Sequence, residues 1–426
     1  MQSLAYLNQS GQFGDLDDSD DEGEGNFVIN VRTALLDAKK GAITAISEIA
    51  AHCGEAFLPY MDETLSILQT TCGSYHSFIK GEAAEALANL VTPVVAAKHG
   101  GSIDWEKGNI EGVSPLGPET TAVANAVLKI LVSLMNDIYQ DTVSKACNGI
   151  ENVLNLCGPH ALALVAEECL ENTLNLLSRS APSQLDDADE YEDDEHDACM
   201  TSVCDLVATF GRVMGKHFCQ YLEQFLPAIC EYAKTSRPAS DRAMAIGCLG
   251  ELAQELDDGI KDYWKTIFLP AIIVGLSDDD HNVNRNAAFC AGTCCEGLGA
   301  LAVSDYLQIL QLLGKLFNID PSISESSAAA VDNACASVCR MIMTSPADVP
   351  MSQVLPVVLK ALPLKNDTTE NDTVYKCLLG LLKMNNADAL AQGTEIKRVF
   401  IEAISEESKV EEDMKKELKM VLEALN

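Results

Sequence analysis

The feature of this sequence that most constrains its fold is an internal repeat of 43 residues. The segment 225–229 (FLPAI) recurs with the same letters at 268–272, which is 43 residues later. The Leu-Pro pair of this segment returns at Leu355-Pro356, two periods after Leu269-Pro270. A repeat of this length is one small structural unit that cannot bury its apolar face alone, so neighbouring units stack. We therefore expect one long array rather than three separate globular domains.

Each unit is predicted to contain two α-helices. Apolar residues recur every three or four positions along the chain, as in the segment 34–51, and we find no convincing alternating strand. Aromatic residues make up only 5% of the chain, which disfavours β-sandwiches and barrels. The Leu-Pro pair would lie in the first turn of the first helix, where proline needs no hydrogen-bond donor. At this period, the 426 residues provide for about nine or ten helix pairs.

The turn before one second helix carries a more specific pattern. The run Asp278–Asp280, followed by Val283 and Arg285, resembles the signature of HEAT repeats. Carboxylates at this position cap the amino end of a helix. An arginine on the second helix can reach an aspartate of the neighbouring repeat. The predicted fold class is therefore all-α, an α-solenoid of HEAT repeats.

Two acidic runs divide the chain. Seven of the ten residues 15–24 are acidic, as are nine of the twelve residues 186–197, and neither run contains Lys or Arg. Because like charges repel, we expect both runs to be disordered. The predicted organisation is an acidic disordered segment 1–26, HEAT repeats over 27–185 with a loop near 98–118, an acidic loop 186–197, and HEAT repeats over 198–426.

The charge of the whole chain limits its partners. It contains 29 Lys and Arg against 64 Asp and Glu, for a net charge of −35. Such a field repels phosphate backbones and anionic lipids, whereas it attracts basic proteins. The sequence also lacks a run of 18 apolar residues that could span a bilayer. We expect no direct binding to nucleic acid or to membranes.

The sequence carries no motif for catalysis. It lacks a P-loop, a G-x-S-x-G elbow and an H-E-x-x-H zinc motif. Cys290 and Cys294, like Cys335 and Cys339, are four residues apart, which places each pair on one helix face rather than in paired zinc loops. We expect buried reduced thiols, no catalytic residue, no metal and no cofactor. A metalloenzyme is the alternative, and it predicts stoichiometric metal in the purified protein.

Several strings resemble one family. The segment 30–40 (NVRTALLDAKK), directly after the first acidic run, and the segment 57–60 (FLPY) resemble β-karyopherins of the importin-four and importin-five type. The segments 236–242 (SRPASDR), 331–335 (VDNAC) and 362–367 (LPLKND) also resemble that branch. The resemblance extends from about residue 15 to the C-terminus.

The resemblance implies a nuclear transport receptor. Members of this family hold basic cargo, such as histones H3 and H4, ribosomal proteins and basic nuclear localisation signals, in an acidic concave surface. They bind Phe-Gly nucleoporins in the pore, release cargo on binding Ran-GTP, and shuttle between cytoplasm and nucleus. Because the chain resembles only the C-terminal half of these receptors, Ran-GTP would act through the N-terminal half, which is absent from this sequence.

Candidate binding residues lie on the second helices, which line the inner face of a solenoid. Carboxylates there would hold Lys and Arg side chains, and Asn would pair with the backbone of an extended peptide. Each residue could instead be a helix cap or a solvated surface group. The candidate cargo-binding residues are Asp205, Glu251, Asn286, Glu296, Asp332 and Asn333. The acidic loop would attract the cargo through Asp186, Asp187, Asp189, Glu190, Glu192, Asp193, Asp194, Glu195 and Asp197.

A second function suits the same fold. A HEAT-repeat scaffold of an enzyme complex, such as a phosphatase, would also be a long acidic solenoid. It predicts a stable co-purifying subunit and indifference to basic peptides. A transport receptor instead predicts salt-sensitive binding of a basic peptide.

Overall fold

The protein is helical throughout the part of the chain that the structure describes. A computed structural model describes residues 22–74, 76–110, 112–185, 194–405 and 408–424. These residues contain no β-strand. The predicted all-α solenoid of HEAT repeats is confirmed. The chain divides into two compact units, residues 1–218 and 219–426, which we call unit 1 and unit 2.

Unit 1 is a row of helix pairs. Its helices are α1 (Glu22–His52), α2 (Met61–Cys72), α3 (Ser77–Asn89), α4 (Val91–His99), α5 (Gly117–Leu134), α6 (Gln140–Cys157), α7 (Pro159–Leu162), α8 (Ala166–Leu177) and α9 (Asp194–Met214). The second helices α1, α3, α6 and α9 pack side by side in this order. The first helices α2, α5 and α8 form the other layer, and a 3₁₀-helical segment leads into α2.

Unit 2 repeats the same arrangement. Its helices are α10 (Leu222–Tyr232), α11 (Ala239–Leu256), α12 (Leu269–Gly275), α13 (His281–Leu298), α14 (Tyr306–Leu316), α15 (Glu325–Thr344), α16 (Met351–Ala361), α17 (Asn371–Lys383), α18 (Ala387–Ala391), α19 (Gly393–Ala403) and α20 (Glu412–Ala424). The second helices are α11, α13, α15, α17 and α20. Together with unit 1, the described residues form eight helix pairs, and α1 supplies the second helix of a ninth repeat.

The second helices of each unit pack directly on one another. In unit 2, α13 packs extensively on both α11 and α15, whereas neighbouring first helices share few contacts. In unit 1, α6 packs in the same way on α3 and α9. Within each unit the second helices therefore form a continuous layer, and the first helices pack against that layer.

The turn before α13 has the geometry that its sequence predicts. The Asp280 carboxylate accepts hydrogen bonds from the backbone N–H groups of Asn282 (2.8 Å) and Val283 (3.1 Å), which caps the helix. Arg242 on α11 donates two hydrogen bonds to Asp278, at 2.9 and 2.8 Å. This bidentate pair joins one repeat to the next, as the HEAT pattern predicts.

Parts of the two segments that were predicted to be disordered are helical in the described residues. Helix α1 begins at Glu22, so the end of the predicted segment 1–26 is helical, and residues 1–21 lie outside the described residues. Helix α9 begins at Asp194, so Asp194, Glu195 and Asp197 are helical rather than part of a loop. Carboxylates in a first turn are stabilised by the positive end of the helix dipole, which the charge-repulsion argument ignored. The remaining acidic residues predicted in that loop, Asp186, Asp187, Asp189, Glu190, Glu192 and Asp193, lie outside the described residues.

The repeated prolines do not all occupy the first turn of their helices. Pro270 is the second residue of α12, but Pro227 and Pro356 lie inside α10 and α16, each as the sixth residue of its helix. The additional amino-terminal turn is anchored by an apolar side chain, Leu222 in α10 and Met351 in α16, and both are buried. Burial of that side chain offsets the backbone hydrogen bond that proline removes.

The cysteines of the second helices are part of the core, as predicted. Cys290, Cys294, Cys335 and Cys339 are all buried, and the Sγ atoms of Cys290 and Cys294 are 3.9 Å apart. Burial raises the pKa of the Cys294 thiol, so this thiol stays protonated and unreactive at neutral pH. Among the described residues, no group of His, Cys, Asp and Glu side chains could hold a metal ion. No described helix is long and apolar enough to cross a bilayer.

Candidate functional site

The exposed sides of the second helices in unit 1 form one polar face. Its residues follow one another at helical spacing, so they project from the same side of each helix. We call this set the unit-1 face; it consists of Phe78, Glu82 and Glu85 on α3, Asn148, Glu151, Asn152 and Asn155 on α6, and Thr201, Asp205 and Arg212 on α9.

Two side-chain contacts fix the register of α6 against α9. The hydroxyl groups of Ser144 and Ser202 lie 2.8 Å apart near the start of the shared interface. Further along, Asn155 Oδ1 accepts a hydrogen bond of 3.0 Å from Arg212 Nη1. The residues between these contacts therefore face one another across the two helices.

Glu151 and Asp205 lie in this interval, and we call them the carboxylate pair. Partial burial, and then the negative charge of Glu151, raise the pKa of Asp205 to about 6, while Arg212 opposes the rise. In the part of the chain that the structure describes, no hydrogen bond or ion pair engages the Asp205 carboxylate. An ionised Asp205 therefore lowers the stability of the protein at neutral pH, and a bound cation would recover that free energy.

Two exposed amides flank the carboxylate pair. Asn148 and Asn152 are separated by one turn of α6 and are exposed. Neither side chain is engaged by another described residue. An Asn side chain offers a carbonyl acceptor and an N–H₂ donor, which can pair with the N–H and C=O groups of a peptide backbone.

The α3 side of the unit-1 face is neutralised by lysines. Lys145 Nζ lies 2.8 Å from Glu85 and 3.8 Å from Glu82, and Lys40 Nζ lies 3.4 Å from Glu82. These carboxylates already have cationic partners. The excess negative charge of this face therefore concentrates between α6 and α9.

The predicted residues on α11 and α13 of unit 2 are only partly available to bind cargo. Glu251 is partly exposed on α11. Asn286 donates a hydrogen bond of 2.7 Å to the backbone carbonyl of Ala243, so its amide is committed to packing the two helices. The Glu296 side chain is 62% exposed, but it forms an ion pair with Arg340 Nε at 3.3 Å.

The prediction for Asp332 is wrong because its side chain is internal. Asp332 is 1% exposed. Its carboxylate accepts hydrogen bonds from the backbone N–H groups of Lys365 (3.0 Å), Asn366 (2.7 Å) and Asp367 (2.9 Å). It therefore organises the turn before α17, and it has neither the exposure nor the free lone pairs to bind cargo.

The prediction for Asn333 is wrong for the same reason. Asn333 is 2% exposed. Its amide donates to the backbone carbonyl of Ala329 at 3.0 Å and to Asp367 Oδ2 at 2.9 Å. The polar residues of α15 thus hold the next repeat in place.

Two arginines neutralise carboxylates that lie next to α15 in unit 2. Arg285 on α13 pairs with Asp367 at 3.0 Å, and Arg340 pairs with Glu370 at 2.9 Å. None of the α15 residues 327–339 is exposed. The predicted acidic inner surface is therefore not continuous over the described residues, because these carboxylates of unit 2 already have cationic partners.

Asp205 is a candidate on both sequence and structure, whereas its neighbours become candidates only in the structure. Asn148, Glu151 and Asn152 occur in a segment that the periodicity already predicts to be a second helix. Their spacing of three and four residues could have indicated an exposed polar face, because it places these groups on the side of the helix away from the apolar stripe.

Comparison with known proteins shows that the chain is similar to importins. No family model matches the chain. It is 25% identical over 393 residues to the probable importin subunit beta-4 of Schizosaccharomyces pombe, covering 89% of this chain and 36% of that protein. It is 26% identical over 408 residues to importin-4 of Homo sapiens, covering 92% of this chain and 36% of that protein. The chain thus spans about a third of the length of these curated relatives.

Solved structures of Kap121p share the fold. The structure of Kap121p bound to Pho4p superposes with a TM-score of 0.70 at 17% identity, covering 92% of this chain and 34% of that one. The structure of Kap121p bound to RanGTP gives a TM-score of 0.68 at 17% identity, covering 92% of this chain and 35% of that one.

These matches bear on two of the predictions. The relatives are named importins, which agrees with the expectation that the chain is not an enzyme. The resemblance of segments such as 30–40 to importins is confirmed by a match over about nine-tenths of the chain. The chain is therefore similar to importin-4 proteins over about nine-tenths of its own length.

Proposed function

We propose that this chain is a segment of a nuclear transport receptor that binds basic cargo on the unit-1 face. The observation that carries the proposal is the carboxylate pair, in which Asp205 has no cationic partner bonded to it and has a raised pKa. The exposed amides of Asn148 and Asn152 lie beside it. A lysine or arginine of the cargo would lie between the two carboxylates, while the asparagines would hold the cargo backbone in an extended form.

Charge at long range supports the same proposal. The net charge of −35 would accelerate the encounter with a basic partner and make affinity fall with salt. The acidic run 186–197 leads directly into α9, the helix that carries Asp205. We propose that this run attracts cargo toward the carboxylate pair.

The identity of the cargo and the other partners are part of the proposal. Solved structures show Kap121p bound to Pho4p, to RanGTP and to Nup53p. For the present chain we propose cargo rich in Lys and Arg, such as histone H3 and H4 tails or ribosomal proteins. Phe-Gly nucleoporins would bind the same receptor, Ran-GTP would act through a segment outside this sequence, and the receptor would shuttle between cytoplasm and nucleus.

A peptide titration tests the proposal. A fluorescein-labelled histone H3 amino-terminal peptide is titrated with the full chain at 50 mM and 200 mM salt, and anisotropy is recorded. We expect a micromolar or tighter Kd at low salt that weakens at least several-fold at high salt. The double variant Glu151→Gln/Asp205→Asn should weaken binding by about tenfold or more, because it removes both carboxylates.

The matched control removes a carboxylate from the other layer. Glu168 is exposed on the first helix α8 of the same unit, so Glu168→Gln should leave Kd within about twofold. Equal losses in the control and in the double variant would mean that only net charge matters. No binding at low salt, together with a co-purifying enzyme subunit, would favour the scaffold function instead.

A further inference from the structure

The loop between α4 and α5 reaches across the ends of two later repeats. Trp105 packs against Gly158, the residue directly after α6, so closely that a Cβ atom at Gly158 would lie 2.4 Å from the indole Cγ. Gly158 also has a φ of +72°, which L side chains rarely adopt. The indole Nε1 of Trp105 donates to the backbone carbonyl of Asn155 at 3.3 Å.

The same loop then engages α9. The backbone N–H of Gly108 donates to the backbone carbonyl of Val213 at 2.9 Å, and a Cβ atom at Gly108 would lie 3.0 Å from the carbonyl oxygen of Met214. The last carbonyl groups of a helix have no partner inside the helix. One loop thus supplies donors to the carboxyl ends of two neighbouring second helices. The loop is also anchored by Ile103, which is buried.

These contacts lie one to two turns from the proposed cargo site. Asn155, whose carbonyl accepts from the indole, also accepts from Arg212 through its side chain at 3.0 Å. Glu151 precedes Asn155 by about one turn of α6. The distance between Glu151 and Asp205 therefore depends on how the carboxyl ends of α6 and α9 are held together.

We infer that residues 103–110, which we call the clasp, are a positioning element for cargo binding. The inference rests on the proposed function, since the clasp would act through the carboxylate pair. The clasp comes from an earlier part of the chain than α6 and α9, so it ties together two helix ends that chain connectivity leaves separate. Trp105, Gly108 and Gly158 touch no cargo. They keep α6 and α9 at the separation in which Glu151 and Asp205 accept one cation together.

The test uses two variants that open the clasp in different ways. Gly158→Ala places a methyl group where the indole lies, and Trp105→Ala removes the indole. Trp105→Phe keeps an aromatic ring but loses the Nε1 donor, so it should retain more of the packing. Val113→Ser is the matched control, because Val113 is 96% exposed in the same interhelical loop.

Two measurements are made on the full chain. Hydrogen exchange followed by mass spectrometry should show that amides in the last turns of α6 and α9 exchange about tenfold faster in both clasp-opening variants. Anisotropy with the histone H3 peptide should show that the Kd weakens about fivefold or more relative to the wild type. The unfolding temperature of the helices outside α6 and α9 should stay at its wild-type value. Trp105→Phe should lie between these variants and the wild type, and Val113→Ser should match the wild type.

The outcomes separate the clasp from the proposed function. Unchanged exchange in both clasp-opening variants would show that the loop does not hold α6 to α9. Faster exchange with an unchanged Kd would overturn the positioning role. A wild-type chain that binds no basic peptide would refute the proposed function and the positioning role together, whereas binding that needs Glu151 and Asp205 but not the clasp would refute only the latter.

Discussion

Replacing Asp205 by asparagine should make the protein more stable and, at the same time, a weaker binder of basic peptides. Partial burial and the charge of Glu151 raise the pKa of Asp205 to about 6, from an ordinary value of 3.8. A group with a raised acidic pKa binds its proton more tightly in the folded state. Ionisation of Asp205 therefore opposes folding at neutral pH, and asparagine of nearly the same shape removes that opposition.

The expected increase in the free energy of unfolding follows from the pKa of Asp205. The difference between 3.8 and about 6 is roughly two pH units, and each is worth about 1.4 kcal/mol, which sets a ceiling of about 3 kcal/mol. Because Asp205 is partly exposed and solvent screens the charge, we expect about 1 kcal/mol. For a unit of some 200 residues this raises the unfolding temperature by about 2–4 °C.

The stabilisation by Asp205→Asn should depend on pH in a way that identifies ionisation of Asp205 as its cause. Below about pH 3 the wild-type Asp205 is largely protonated in both the folded and the unfolded state, so the variant should be no more stable than the wild type. The stabilisation should grow as the pH rises from about 3 to 6 and should be nearly complete at pH 7. Differential scanning fluorimetry at pH 4, 5, 6 and 7 measures it, with Glu168→Gln as the control. A variant that unfolds at a lower temperature than the wild type at pH 7, or one whose difference is the same at every pH, would refute the reasoning.

Three further results are expected. Binding of a basic peptide to the wild type should weaken as the pH falls from 7 to 5, because Asp205 becomes protonated; titrations should show a flatter profile for Asp205→Asn, and equal profiles would contradict the assignment. Asp332→Ala should lower the free energy of unfolding by about 3 kcal/mol in urea titrations, because three backbone N–H groups of the turn before α17 lose a buried acceptor. The control Asp372→Ala removes a half-exposed carboxylate that pairs only with the exposed Lys376, and it should cost about 0.5 kcal/mol or less. Arg242→Met should cost about 2 kcal/mol by leaving Asp278 without its bidentate partner, and a loss no larger than that of Asp372→Ala would show that this repeat contact is dispensable.

The local chemistry of the repeats could be predicted from sequence because it acts over short distances. The cap at Asp280 needs only a carboxylate two and three residues before free N–H groups, and the pairing of Arg242 with Asp278 follows from the 43-residue period. The buried cysteines follow from helical spacing alone. These features depend on the period and on position within one repeat.

The binding site could be predicted only in part because it depends on register between helices. Asp205 lies on the exposed side of its helix, but its partner Glu151 is identified only once α6 and α9 are aligned. The predictions for Asp332 and Asn333 were wrong for a related reason. The turn at 365–367 packs on their helix and forms hydrogen bonds with both side chains. Polar side chains on a predicted inner helix look the same in sequence whether a ligand or the chain itself satisfies them.

The pairing of Arg285 with Asp367 has a consequence for how this array can change in length. Arg285 lies on α13 and Asp367 in the turn before α17, so the bond passes over α15 and skips one entire repeat. Solenoids ordinarily gain or lose units because each one touches only its immediate neighbours. Here the deletion or duplication of the middle repeat would separate the two partners and remove this ion pair. The pair therefore couples three consecutive repeats and should add to their resistance to bending.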